Sequence, residues 1–101
     1  MMSLEEEATK LADFGFTYNQ AKIYASIAKL HSASVSAISK MANVRREHIY
    51  RTIPKLEKMG LIEKSLGTPS KIKAIPLEEA FSFLIKQRQD EANRKLSALR
   101  N

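Results

Sequence analysis

In NVRREHIYRTIPKLEKMGLIEK, residues 43 to 64, apolar and cationic side chains separate at helical spacing. Ile49, Ile53 and Leu56 share one side of a helix over about residues 45 to 58, while Arg45, Arg46, His48, Tyr50, Arg51 and Lys55 take the flanks and the opposite side. The pattern predicts a helix with an apolar back and a cationic front. Immediately upstream, Ser34 is suited to cap a short helix carrying Ile38 and Met41. Asn43 is one of the few non-glycine residues that adopts the left-handed conformation needed by a tight turn between helices. Two short helices joined in this way, the second one basic, form a helix-turn-helix.

Downstream, Gly60 ends the basic helix and Leu61 to Lys64 reads as a strand. Gly67 to Ser70 reads as a turn, and Lys71 to Ile75 alternates polar and apolar residues as a returning strand does. This hairpin, residues 61 to 75, is placed as the wing of a winged helix. Pro54 lies about two turns inside the basic helix, where it cannot donate to the carbonyl of Tyr50, so a kink is expected between Tyr50 and Pro54. A break with a new helix at Pro54 is disfavoured, because it would make Ile53 an N-cap.

Further upstream, Ser3 with Glu6 and Thr17 with Gln20 form two capping boxes, each opening a helix. Leu4, Ala8, Leu11 and Ala12 form the inner stripe of the first, and Ala21, Tyr24, Ile27, Ala28 and Leu30 that of the second. The segment Ala33 to Val35 is too short for its pattern to decide whether it adds a third strand to the hairpin. After Pro76 a long helix begins at Leu77, with no glycine or proline before Asn101. Its Ala80, Phe81 and Leu84 are expected to pack on the domain. Ile85, Gln89, Ala92, Leu96 and Leu99 follow steps of four and three, the spacing of a short coiled-coil seam. The expected fold is mainly α with a small β-hairpin: a winged helix-turn-helix over residues 1 to 76, then a C-terminal helix over 77 to 101 that either pairs two copies or extends alone into solvent.

The charge is distributed to match. The chain carries +6, and from Ser36 to Ile75 nine lysines and arginines face three glutamates, so that segment holds all of the net charge. Such localisation is the electrostatic footprint of a polyanion partner. The 101 residues contain no cysteine, which excludes disulfides and thiolate metal sites. Two separated histidines, with acids clustered only in the first helix and at Glu78-Glu79, provide neither a metal set nor a nucleophile and base. No phosphate-binding glycine loop is present, and no apolar run approaches the ~20 residues of a membrane span. The reading is therefore a non-enzyme without cofactor, metal, membrane or evident small-molecule effector site, placed in the cytoplasm with the nucleoid.

AKIYASIAKL at 21 to 30, the run from Ser34 to Lys64, and GTPSKIKAIPLEEAF at 67 to 81 resemble the N-terminal winged-helix domain of the TrmB-type archaeal transcriptional regulators, and more distantly MarR-type winged helices. The resemblance covers about residues 11 to 85. It implies a transcriptional regulator that binds double-stranded DNA, of archaeal origin. In that family this domain is paired with a sugar-sensing C-terminal domain, which has no counterpart in these 101 residues, so no sugar response is expected of them. The family pattern does not require Pro54, and it commonly has a proline where this chain has Arg45.

On the residues themselves, Arg46 and Arg51 are assigned to base edges. Arg45, Lys55, Lys71 and Lys73 are assigned to phosphates or the minor groove, with His48, Tyr50 and Ser70 as further contacts. The backbone amides of Thr17 to Gln20, at a helix start, are a further phosphate site. Two alternatives remain: a winged helix that docks on an acidic protein of the transcription machinery, and a nonspecific chromatin or nucleoid protein.

Overall fold

The computed structural model describes residues 2 to 65, 67 and 70 to 100. Thr68 and Pro69, half of the expected turn, lie outside them. The elements in order are α1 (Leu4–Ala12), α2 (Tyr18–Leu30), β1 (Ser32–Ala33), α3 (Val35–Ala42), α4 (Arg46–Lys58), β2 (Ile62–Lys64), β3 (Ile72–Ala74) and α5 (Leu77–Arg100).

The helix starts are set by local chemistry. Ser3 and Glu6 close one capping box, Thr17 and Gln20 a second, and Ser34 Oγ accepts from the amide of Ala37. Asn43 sits at φ 54 and ψ 49, so the left-handed turn between α3 and α4 forms as expected. Gly60, at φ 78, turns the chain out of α4 into β2.

The core gathers on α2, which packs against α1, α3, α4, β1 and β3. Being enclosed by neighbours on several sides, it buries Ile23, Ala25 and Ser26 as well as Ala21, Tyr24 and Ile27. Ser26 is tolerated there because its hydroxyl donates to the carbonyl of Lys22 at 2.7 Å. Ala28 and Leu30, expected inside, are only half-buried. On α3 the inward pair is Ile38 and Ala42, while Met41 is exposed. Val44, just past the turn, is buried as well. Glu7 is buried, and Lys29 of α2 pairs with it at 3.1 Å.

The hairpin is joined by a third strand. β1 pairs antiparallel with β3, placing Ser32 opposite Lys73 and Ala33 opposite Ile72, and β3 pairs in turn with β2. β3 is thus central, with Ile72 and Ile62 buried against the helices and Glu63 and Lys73 on the exposed face. α4 runs unbroken through Pro54, which is exposed.

The Tyr24 hydroxyl donates to the carbonyl of Ile75 at 2.6 Å and ties the exit of the hairpin to α2. Burial, and then the charges of Glu79 and Glu7, raise this phenol well above its ordinary value of 10.0. Tyr24→Phe leaves the Ile75 carbonyl unpaired and is expected to cost about 1–3 kcal/mol in urea unfolding. The pH dependence has a definite sign. Above pH 10 the unfolded chain releases the Tyr24 proton and the folded one keeps it, so this contribution is complete below pH 10 and is lost as pH rises beyond it. Unfolding curves between pH 8 and about 11 should show that decline in the wild type and not in Tyr24→Phe.

Candidate nucleic-acid interface

Ile49, Thr52, Ile53 and Leu56 bury the back of α4, which fixes its rotation about its own axis. Arg45, Arg46, His48, Tyr50, Arg51 and Lys55 are consequently all exposed. Among the described residues the one ion pair is Lys29 with Glu7, so none of these cations is paired with an acid among them.

The start of α4 is unusual for a helix built only for stability. Arg45 occupies the N-cap without a side-chain capping bond, and Arg46 is the first helical residue. Two cations therefore stand at the positive end of the helix dipole, opposed there by Glu47 alone. An anion placed at that end would satisfy both the uncapped amides and the guanidinium groups. The Arg46 guanidinium is already oriented, since Nη2 donates to Ser36 Oγ on α3 at 3.2 Å.

Two clefts flank this helix. One, of about 440 Å³, is lined by Thr17, Tyr18, Asn19 and Gln20 at the start of α2 and by His48, Arg51, Thr52 and Lys55 from α4. The spacing of His48, Arg51 and Lys55 puts them on one side of α4, and the fold then brings a second helix start against that side. The other cleft, of about 380 Å³, lies between α4 and the wing and is lined by Val35, Tyr50, Ile53, Lys64, Ser70 and Ile72. Lys71 is exposed beside it, held by backbone and side-chain bonds with Ser65 at 2.8 and 3.2 Å.

Lys73 is not brought to this group. It stands on the other face of the sheet, paired in register with Glu63, and lines a shallow hollow with Gly60 and Pro76. Lys64 takes the place beside Tyr50 instead, and sequence reasoning missed it. The hairpin's pleat held the signal: Lys64 shares a side with the buried Ile62. Tyr18, Asn19 and Ser36 were also missed as side chains of this surface. On α5, Ala80 and Leu84 are buried and Phe81 is half-buried, whereas Ile85, Gln89, Ala92, Leu96 and Leu99 are all exposed. Among the described residues no three His, Asp or Glu side chains are grouped to hold a metal, and no helix is long and apolar enough to cross a membrane.

The family described as sugar-specific transcriptional regulator TrmB matches residues 11–78. The chain belongs to the TrmB family. Among solved structures, TrmBL2, described as an archaeal chromatin protein with a novel mode of DNA binding, superposes with a TM-score of 0.85 at 17% identity, over 97% of this chain. The chain spans 39% of the length of TrmBL2. A possible transcriptional regulator from Methanosarcina mazei Go1 gives 0.69 at 18% identity, covering 94% of this chain and 85% of its own. A transcriptional regulator from Thermotoga maritima gives 0.61 at 21% identity, with 95% and 72% covered. At these identities the likeness shows the winged-helix fold. No curated protein sequence matches the chain. The matching family is described as one of transcriptional regulators, and the fold is the winged helix that these structures share.

Proposed function

We propose that this TrmB-family chain binds double-stranded DNA sequence-specifically, with the first turns of α4 in the major groove and the wing on the backbone or minor groove. The observation that carries the reading is the uncapped, doubly cationic start of α4, without an ion pair among the described residues and rotated outward by a buried back. In a helix-turn-helix it is this end of the second helix that meets base edges. Arg46 and Arg51 suit guanine edges, for which a planar guanidinium offers two parallel donors. Arg45, Lys55, Lys64 and Lys71, with His48, Tyr50, Ser70 and the helix start at Thr17 to Gln20, suit the phosphates on either side. Lys73 is left as a distal backbone contact.

Two copies pair along the exposed seam of α5, which leaves Ile85 47%, Leu96 45% and Leu99 85% accessible in the single chain. Such a dimer would read two half-sites about one helical turn, ~34–36 Å, apart. Leu96→Glu places a charge in that seam and is expected to shift sedimentation from dimer to monomer while the unfolding midpoint of the head stays put. A wild-type chain that sediments as a monomer throughout the micromolar range would remove the dimer from the proposal.

Selection from a random duplex pool tests the function. Enrichment of one motif, in two copies a helical turn apart, is the expected result. Strong retention without any motif would favour nonspecific packaging, in line with the description of TrmBL2 as a chromatin protein. No retention at moderate salt would overturn DNA binding and leave the docking of an acidic protein.

A further inference from the structure

α5 meets the head by two kinds of contact. Near its start, Ala80 and Leu84 are buried and Leu77 and Phe81 are half-buried against the core. Apolar contact of this kind is non-directional and permits sliding. One turn further on, Arg88 makes a directional contact: its guanidinium donates to the backbone carbonyl of Asp13 and lies 4.6 Å from the centroid of the Phe14 ring. Phe14 in turn packs at a tilt against Phe81, with ring centroids 5.9 Å apart and planes inclined at 58°. Beyond Arg88 every described residue of α5 is exposed.

We propose that Arg88 is a positioning residue that fixes the direction of α5 relative to the reading head. The lever arithmetic gives the size of the effect. At about 1.5 Å per residue, the apolar contact from Leu77 to Leu84 is a base of about 10 Å, and Arg88 extends it to about 16 Å. For a given slack at the contact points, the angular play of the helix falls in inverse proportion to that base. Without the Arg88 contact the play rises by about half, and the unsupported segment from Gln89 to Arg100, about 18 Å long, carries it outward. Arg88 also flanks the exposed seam, so its engagement with Asp13 and Phe14 holds one cation aside from the helix-helix surface. In a dimer joined through α5, the direction of α5 sets the separation of the two copies of α4, and through it the half-site spacing that the pair accepts. This last step rests on the proposed DNA-binding dimer, whereas the orientation of α5 does not.

The cysteine-free chain permits a direct test. Spin labels at Lys40→Cys and Ser97→Cys, both on exposed positions, report the distance from head to distal α5 when the labelled chain is diluted into excess unlabelled chain. The wild type should give a narrow distribution. Arg88→Ala should widen it by about half and Phe14→Leu should widen it similarly, with Arg88→Lys in between because an ammonium lacks the planar face that stacks on a ring. Widths equal to the wild type in both Arg88→Ala and Phe14→Leu would overturn the proposal. A second readout uses duplexes carrying the selected motif twice at separations of about 9 to 12 base pairs, around one helical turn. The wild type should prefer one spacing by ten-fold or more, and Arg88→Ala should flatten that preference with its single-site affinity unchanged. A preserved spacing preference in Arg88→Ala would likewise overturn the proposal. If the wild type binds no duplex, the DNA reading fails, and the distance distributions alone decide the role of Arg88.

Discussion

Alanine at Arg46 is expected to weaken binding to the selected duplex by about 5- to 150-fold, the equivalent of 1–3 kcal/mol for one bidentate base contact, and to relax the preference at one base position. Three features of the residue single it out. It is the first helical residue of α4, it is exposed, and Ser36 Oγ holds its guanidinium at 3.2 Å before any ligand arrives. A pre-oriented fork loses less freedom on binding than a free side chain would. Because Arg46 makes no packed contact with the core, its loss should leave the unfolding midpoint within about 0.5 kcal/mol of wild type. Arg45→Ala provides the contrast. As a phosphate contact it should weaken all duplexes alike and reduce the salt slope by about one, with specificity retained. Fluorescence anisotropy on matched and single-base-changed duplexes separates these two behaviours.

A core substitution on the same helix should act through stability instead. Ile49 is fully buried, one turn from the cationic start of α4, and its packing sets the rotation that points Arg45, Arg46 and Arg51 outward. Ile49→Ala is expected to cost about 2–5 kcal/mol, combining lost transfer energy with a cavity. In a chain of 101 residues that is a large part of the total stability, and melting should fall by on the order of 10 to 30 °C. Tyr50, its neighbour, is 61% exposed. Tyr50→Ala should therefore melt close to wild type while binding DNA less tightly. Circular dichroism melts run beside binding assays check the division: a low-melting Tyr50→Ala with a wild-type-like Ile49→Ala would mean that α4 is rotated from the orientation described.

Much of this fold was legible because helix ends are governed by adjacent residues. Ser3 with Glu6, Thr17 with Gln20, Ser34, Asn43 and Gly60 each act within a turn of their own position, and each does so as the sequence predicts. The cationic face of α4 was legible for a similar reason, since a 3.6-residue period places Ile49, Ile53 and Leu56 on one side whatever they pack against. Features that depend on a distant partner were not. β1 is two residues long and exists because β3 offers it a free edge. α2 is enclosed from several directions, so a rule that assumes one inner stripe undercounts its core. Within the candidate interface, the placing of Lys64 beside Tyr50 and of Lys73 on the far face follows from the register of β2 and β3. The cleft that joins Tyr18 and Asn19 to Arg51 needs two helices brought together from separate parts of the chain. Arg88 and Asp13 are 75 residues apart, and nothing local to either announces the contact.

The central claim is that the cations around α4 and the wing meet phosphates while α4 itself reads bases. It is tested most directly by anisotropy on the selected duplex and on a scrambled duplex of equal length across a salt series. If Arg45, Lys55, Lys64 and Lys71 each neutralise a phosphate, log K should fall with log salt at a slope of roughly −4 on the selected duplex. The selected duplex should also bind at least 1,000-fold more tightly than the scrambled one at physiological salt, the lower end of the range for specific binders. A slope near zero, or equal affinity for both duplexes at every salt concentration, would contradict the account.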